Sequence, residues 1–366
     1  MFHPVSPHPP PRPRSNITCG QSAVYDQVRR RLVLQYRFSE GSDMHCAAPG
    51  TCDSRQIIST DGGASFGRPI SVARALTPAY TGVEVGPGLG LQLRWGAHAG
   101  RLLFVGHKDK WSSRGTALWT SDDGGDSWKL QHHFPFMNEG QLAELAGGVV
   151  FVLLRNNGTN TTAACHCLAS ALSFDGGVSW RPTRFNSQLR NPGSQAAALG
   201  SSDGRVLYVS TDYSSDHSLQ GHNNLSLLSS TDMGSSWSRA LWSVGPSVQT
   251  SYSSLALRGG PAGAALNILY ESEVQGGGCQ GPSCAIVFRG LSVPPPPPPP
   301  PKRELVAYRS VSYGCSHGYA TSSHPVRASP LARLTPCLTP CAPHPVGTSA
   351  SSRASCTTTG LRSPPS

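Results

Sequence analysis

The sequence predicts an all-β fold, a β-propeller built from repeated blades. Three observations carry this. The 366 residues include 40 glycines and 32 prolines, which favour turns and short strands over long helices. No stretch sustains the 3.6-residue apolar period of a long helix. One eight-residue pattern also recurs four times, at a spacing that marks one supersecondary unit per repeat.

The pattern is S-x-D-x-G-x-S-[W/F], an Asp box. It reads Ser59-Thr-Asp61-Gly-Gly63-Ala-Ser65-Phe66, then Ser121-Asp-Asp123-Gly-Gly125-Asp-Ser127-Trp128, then Ser173-Phe-Asp175-Gly-Gly177-Val-Ser179-Trp180, then Ser230-Thr-Asp232-Met-Gly234-Ser-Ser236-Trp237. The aspartates are 62, 52 and 57 residues apart. The Asp caps backbone N–H groups and locks a tight turn. The glycine supplies a conformation other residues disfavour. The aromatic packs beneath the turn and joins it to the sheet. Strand-like runs flank each box, as in Thr116–Thr120 and Leu225–Ser229. Further runs lie upstream at Arg31–Gln35, Arg101–Val105, Val149–Leu154, Arg205–Val209 and Ala265–Tyr270. Four strands per repeat make a propeller blade. Four boxed blades and an unboxed one near 252–292 give five.

The flanks differ in composition. Residues 1–26 are expected to form a disordered Pro/Arg-rich segment, 27–292 the propeller, and 293–366 a low-complexity tail opened by the eight prolines Pro294–Pro301. Cys337 and Cys341 lack the second ligand pair that a zinc site needs.

The formal net charge is +10, yet the basic residues are scattered and not interleaved with aromatics, so nucleic acid is not an expected partner. No run of 18 apolar residues exists to span a membrane. Cysteines cluster as Cys46 with Cys52, Cys165 with Cys167, and Cys279 with Cys284. Four N-x-S/T sequons start at Asn16, Asn157, Asn160 and Asn224. Both features point to a lysosomal or secreted protein. The N-terminus has no apolar signal-peptide core, which makes a cytoplasmic location the alternative.

Between the boxes the chain resembles the sialidases, most of all the lysosomal-type animal enzyme and its bacterial relatives. Four motifs carry the resemblance over about residues 27–292. Gly86-Pro-Gly88-Leu-Gly90-Leu-Gln92 is similar to the family's GPGxGI loop. Asn138-Glu139-Gly140-Gln141 with Arg155-Asn156 is similar to its E-x-Q…R segment. Ser251-Tyr252-Ser253-Ser254-Leu255 is similar to GYSSL, and Leu269-Tyr270-Glu271 to LYE. Cys165-His166-Cys167 also resembles an element of the lysosomal-type enzyme.

The resemblance implies a six-bladed propeller and an exo-α-sialidase that releases terminal sialic acids from glycoproteins, gangliosides and oligosaccharides. It implies a retaining mechanism with a Tyr nucleophile and no metal or organic cofactor. A neutral phenol suits a substrate whose own carboxylate would repel an anionic nucleophile, and it needs an adjacent base. Tyr252 is then the nucleophile and Glu139 its base. Arg155 is one of three arginines clamping the substrate carboxylate. Glu271 orients another.

The sequence departs from the family in two places. Its first strand matches the family's second blade, so the first blade is expected to be missing, along with its Arg-Ile-Pro arginine and its general-acid Asp. The nearest substitutes are Arg37 and Asp43. The third clamp position aligns with His222, which lacks the guanidinium fork. A truncated gene model accounts for the missing blade and signal peptide together; degeneration of the site is the rival. The alternative function is a catalytically impaired propeller that binds glycans or proteins.

Overall fold

The structure is a computed structural model that describes residues 17–39, 52–73, 83–108, 115–156, 165–212, 222–238, 240–258, 265–273 and 284–292. The expectations for Asp43, Cys46, Cys279, the sequons at Asn16, Asn157 and Asn160, and segment 293–366 lie outside these residues. The described residues form five sheets, antiparallel except for one short parallel pairing, and no α-helix.

The first sheet holds β1 (Ile17–Asp26), β2 (Arg31–Ser39), β3 (Cys52–Ser59) and β4 (Ile70–Ser71). The short β5 (Glu84–Val85), β6 (Gly88–Leu89) and β7 (Leu91–Gln92) follow. β6 adds to the first sheet in parallel with β1, whereas β5 and β7 pair with β8 (Leu102–Lys108) of the second. The second sheet continues through β9 (Gly115–Ser121) and β10 (Lys129–Pro135). The third is β11 (Gly140–Leu145), β12 (Val149–Leu154), β13 (Cys167–Ser173) and β14 (Arg184–Arg190). The fourth is β15 (Ala196–Gly200), β16 (Leu207–Asp212), β17 (Leu225–Ser230) and β18 (Trp242–Ser243). The fifth is β19 (Thr250–Arg258), β20 (Ala265–Glu273) and β21 (Cys284–Ser292). These are the five blades the repeats predict.

One expectation fails at the N-terminal boundary. Residues 17–26 were expected to be disordered, but they form β1, paired along its length with β2. Its inward face carries Ser22, Val24 and Asp26, all buried. Two of those three are polar, so the apolar alternation that marks a strand is broken in the sequence.

One apolar cluster fills each junction between consecutive blades. Val24 and Val33 of the first blade meet Val85, Phe104 and Trp119 of the second. Leu103 and Phe134 of the second meet Leu142 and Val152 of the third. Phe151 and Leu189 of the third meet Ala196 and Val209 of the fourth. Tyr208 and Leu227 of the fourth meet Leu255 and Ile268 of the fifth. Each side chain on these faces moves from water into a packed interior, a gain of about 1.5–3 kcal/mol for a large aliphatic residue.

The Asp boxes close the turn after the third strand of the first four blades, and they repeat almost bond for bond. Ser65 Oγ donates to Asp61 Oδ2 at 2.6 Å, and the corresponding serines of the other three boxes donate at 2.5 Å. The backbone N–H of Gly63 donates to Ser59 Oγ at 2.8 Å, and the equivalent bonds are 2.7, 2.9 and 2.9 Å. Trp128 is buried and donates to Gln56 of the first blade at 2.8 Å. Phe66 departs from the expected packing: it is 40% exposed.

Candidate active site

Each blade is an antiparallel meander, so the start of its first strand and the end of its second lie at one end of the propeller, while the box turns lie at the other. The motif residues collect at the first end. Glu139 precedes β11 and Arg155 follows β12. Tyr252 lies near the start of β19, and Glu271 near the end of β20.

Tyr252, Glu139 and Arg155 come together across 113 residues of sequence. Tyr252 Oη donates to Glu139 Oε1 at 2.7 Å. Arg155 Nη1 donates to Glu139 Oε2 at 2.6 Å. Arg155 N–H also donates to the Glu139 carbonyl at 2.8 Å, which fixes the two chain segments against each other. Glu139 is 6% exposed. Burial holds the Tyr252 phenol well above its usual range, and the Glu139 charge adds to this against the opposing pull of Arg155. Burial disfavours the Arg155 cation, but the Glu139 charge and hydrogen bond outweigh it and raise its pKa. The result is a neutral phenol hydrogen-bonded to a carboxylate that a guanidinium holds in place.

The loop Gly86–Gln92 packs beside the Glu139 segment. The Gln141 amide donates to the Pro87 carbonyl. Gly88 has φ +133°, and a Cβ there would overlap the Gln141 side chain, so only glycine permits this approach. Glu139 N–H donates to Asn138 Oδ1 at 2.7 Å. Thr116 Oγ1 donates to the Asn138 carbonyl and ties the Glu139 segment to the second blade.

The other expected residues are placed differently. Glu271 Oε2 lies 3.5 Å from the Tyr252 backbone N, and no arginine pairs with it among the described residues, so its expected role of orienting a clamp arginine has no counterpart there. Arg37 is buried and pairs with Glu84 at 3.0 Å, with His107 Nε2 3.9 Å from the same carboxylate oxygen. His222 is half-buried, its Nδ1 3.4 Å from Asp212 Oδ2, and no hydrogen bond joins its side chain to the Tyr252 cluster. Glu84, His107 and Asp212 carry no motif signal. They became visible only when strand ends from different blades were brought together. Cys165 and Cys167 form a disulfide, and Cys52 and Cys284 are each disulfide-bonded to a cysteine outside the described residues.

The profile of the BNR repeat-like domain matches residues 12–264. A sialidase of Micromonospora viridifaciens is 28% identical over 203 residues, 52% of this chain and 30% of that relative. An anhydrosialidase of Macrobdella decora is 32% identical over 127 residues, 33% of this chain and 15% of that relative. The chain thus matches less than a third of the length of these curated relatives. Among solved structures, the Hadza microbial sialidase Hz136 superposes with a TM-score of 0.61 at 20% identity, covering 76% of this chain and 53% of that one. An intramolecular trans-sialidase from Ruminococcus gnavus, in complex with oseltamivir carboxylate, gives 0.59 at 16% identity and covers 77% and 79%. These structures share the propeller fold. With the boxes, the five blades and the profile match in agreement, the chain belongs to the BNR-repeat sialidase family.

Proposed function

We propose that this chain is an exo-α-sialidase-type glycoside hydrolase that works by a retaining mechanism. The observation that carries the reading is the 2.7 Å hydrogen bond from Tyr252 Oη to Glu139 Oε1. Tyr252 Oη attacks the anomeric carbon of a terminal sialic acid as Glu139 takes the phenol proton. The bond to the leaving glycan oxygen breaks, and that oxygen takes a proton from a general acid. Water, deprotonated by the conjugate base of that acid, then attacks the anomeric carbon; the tyrosyl–sialoside bond breaks and Glu139 returns the proton to Tyr252. A phenol held above its usual pKa is a poor nucleophile without a base, so the pair works only as a pair. Arg155 fixes Glu139 through one amino group, and its proposed second task is to bind the substrate carboxylate.

The substrates proposed are terminal sialosides of glycoproteins, gangliosides and oligosaccharides. The disulfide-bonded cysteines favour an oxidising route, lysosomal or secreted. A second reading, a sialidase-like propeller that binds glycans without turnover, is favoured by the engagement of Arg37 and His222 with protein carboxylates.

Hydrolysis of a fluorogenic α-sialoside by the full chain, scanned from about pH 4 to 7, separates the two. Release that vanishes in Tyr252→Phe supports the hydrolase. Sialoside binding without release supports the binder.

A further inference from the structure

Tyr252 lies on an irregularity of β19. Thr250 pairs with Ser272 and Ser253 with Tyr270 across β20, so Ser251 and Tyr252 occupy a break in register. A bulge of this kind re-aims a side chain out of the ladder. It also frees the backbone that carries that side chain, so something else must fix its direction.

Both ends of this bulge are held by buried polar side chains of the fourth blade. On one side Thr250, fully buried, donates its Oγ1 to Asp212 Oδ1 at 2.7 Å, and Asp212 is itself fully buried at the end of β16. The Thr250 N–H donates to the His222 carbonyl at 2.9 Å, while the His222 imidazole faces the second carboxylate oxygen at 3.4 Å. On the other side, Gln195 holds Ser253 by both ends of its amide. It accepts from Ser253 N at 3.0 Å and donates to the Ser253 carbonyl at 3.1 Å. Ser210 Oγ and Ser253 Oγ are 2.8 Å apart. Gln195 is 1% exposed and Ser210 fully buried. Burying a carboxylate and an amide is costly unless each is hydrogen-bonded, and here the residues flanking Tyr252 supply the partners of Asp212 Oδ1 and of the Gln195 amide. Apolar residues would fill the same space without directing those partners.

We infer that Asp212 and Gln195 are positioning residues for Tyr252. By gripping Thr250 and Ser253, they set the direction in which the bulge presents the phenol to Glu139. Neither touches the reacting atoms. The catalytic part of this inference rests on the sialidase reading; the structural part does not.

The test compares full-length Thr250→Val, which keeps shape and loses the hydroxyl, with Thr250→Ser, which keeps the hydroxyl, and with Gln195→Met. The first readout is amide hydrogen exchange over residues 250–253 and needs no turnover. Thr250→Val and Gln195→Met should exchange about 10- to 100-fold faster there, and Thr250→Ser should stay near the parent. The second is the split of kcat from KM on a fluorogenic α-sialoside. Misaiming the nucleophile should lower kcat by about 100-fold with KM little changed, and Thr250→Ser should restore it. Unchanged exchange in Thr250→Val and Gln195→Met, or unchanged kcat in an active protein, overturns the inference. If the parent turns nothing over but exchange responds as stated, the sialidase reading fails and the grip on Tyr252 stands.

Discussion

The two ends of the propeller are built on opposite rules. At the box end, four turns repeat the same hydrogen bonds with lengths agreeing to about 0.2 Å, and arginines fasten one blade to the next. Arg101 binds Asp122 at 2.7 and 2.9 Å and the Gly176 carbonyl of the next box at 3.0 Å. Arg31 reaches from the first blade to the Asp123 carbonyl at 2.9 Å. At the site end no blade repeats another. Among the described residues a Glu–Tyr–Arg cluster, an Arg–Glu–His cluster and an Asp–Thr–His corner each occur once. Repetition serves stability, whereas divergence at the strand ends brings unlike side chains together. Part of the chain's positive charge is thereby consumed structurally, so net charge is a poor guide to its ligand.

Strand β11 carries both rules in a few residues. Glu139, at its start, serves the site. Glu144, near its end, is fully buried and accepts from the N–H groups of Arg94 and Trp95 at 2.8 to 2.9 Å and from Arg94 Nε at 3.1 Å. Arg94 continues to the carbonyls of Ser201 and Ser202, so this one carboxylate joins three blades.

Substitutions that separate the two ends sharpen the comparison. The largest effect is expected for Glu139→Gln, which removes the base but keeps the shape. Its kcat/KM on a fluorogenic sialoside should fall by about 10²- to 10⁴-fold while the fold persists. Glu144→Ala should do the reverse. Urea denaturation should show a loss of about 3 kcal/mol, because the donors around it are left buried and unpaired, and the folded fraction should keep its turnover. Comparable losses of turnover per folded molecule in both variants would dissolve the distinction.

The smallest effect concerns acid. Burial works against ionisation of Asp123 and Asp175, yet hydrogen bonds from the box serines override it and hold both at about 2. Their folded-state pKa lies below the unfolded value, so their contribution is complete above about pH 4 and disappears as pH falls towards 2. Each should contribute about 1 kcal/mol after allowance for solvent screening. The urea midpoint should therefore drop between pH 4 and 2, and Asp123→Asn should flatten part of that drop.

The box end was legible in the sequence because its chemistry is local. Asp, Gly and Ser within eight residues satisfy one another, so the turns could be written down before the fold was known. Tyr252, Glu139 and Arg155 were legible only through resemblance, since their meeting depends on the blade packing that brings distant strand ends together. Asp212, Gln195 and Glu84 were not legible, because nothing around them in the chain sets them apart from ordinary strand polar residues. β1 was missed for a related reason: Ser22 and Asp26 occupy inward positions and disguise the alternation. The role expected of Glu271 has no partner arginine among the described residues, because a carboxylate's partner is fixed by other blades rather than by its own motif.

The central claim is that Tyr252 is a nucleophile activated by Glu139. Its most direct test is covalent trapping by a sialosyl fluoride that also carries fluorine beside the anomeric carbon. That second fluorine slows both formation and breakdown of the glycosyl–enzyme, while the fluoride leaving group speeds formation alone, so the adduct accumulates. Peptide mass spectrometry of the trapped full-length protein should find one sialosyl adduct on the peptide containing Tyr252, and none in Tyr252→Phe. Turnover of sialosides with the adduct on another residue, or with none at all, would contradict the account.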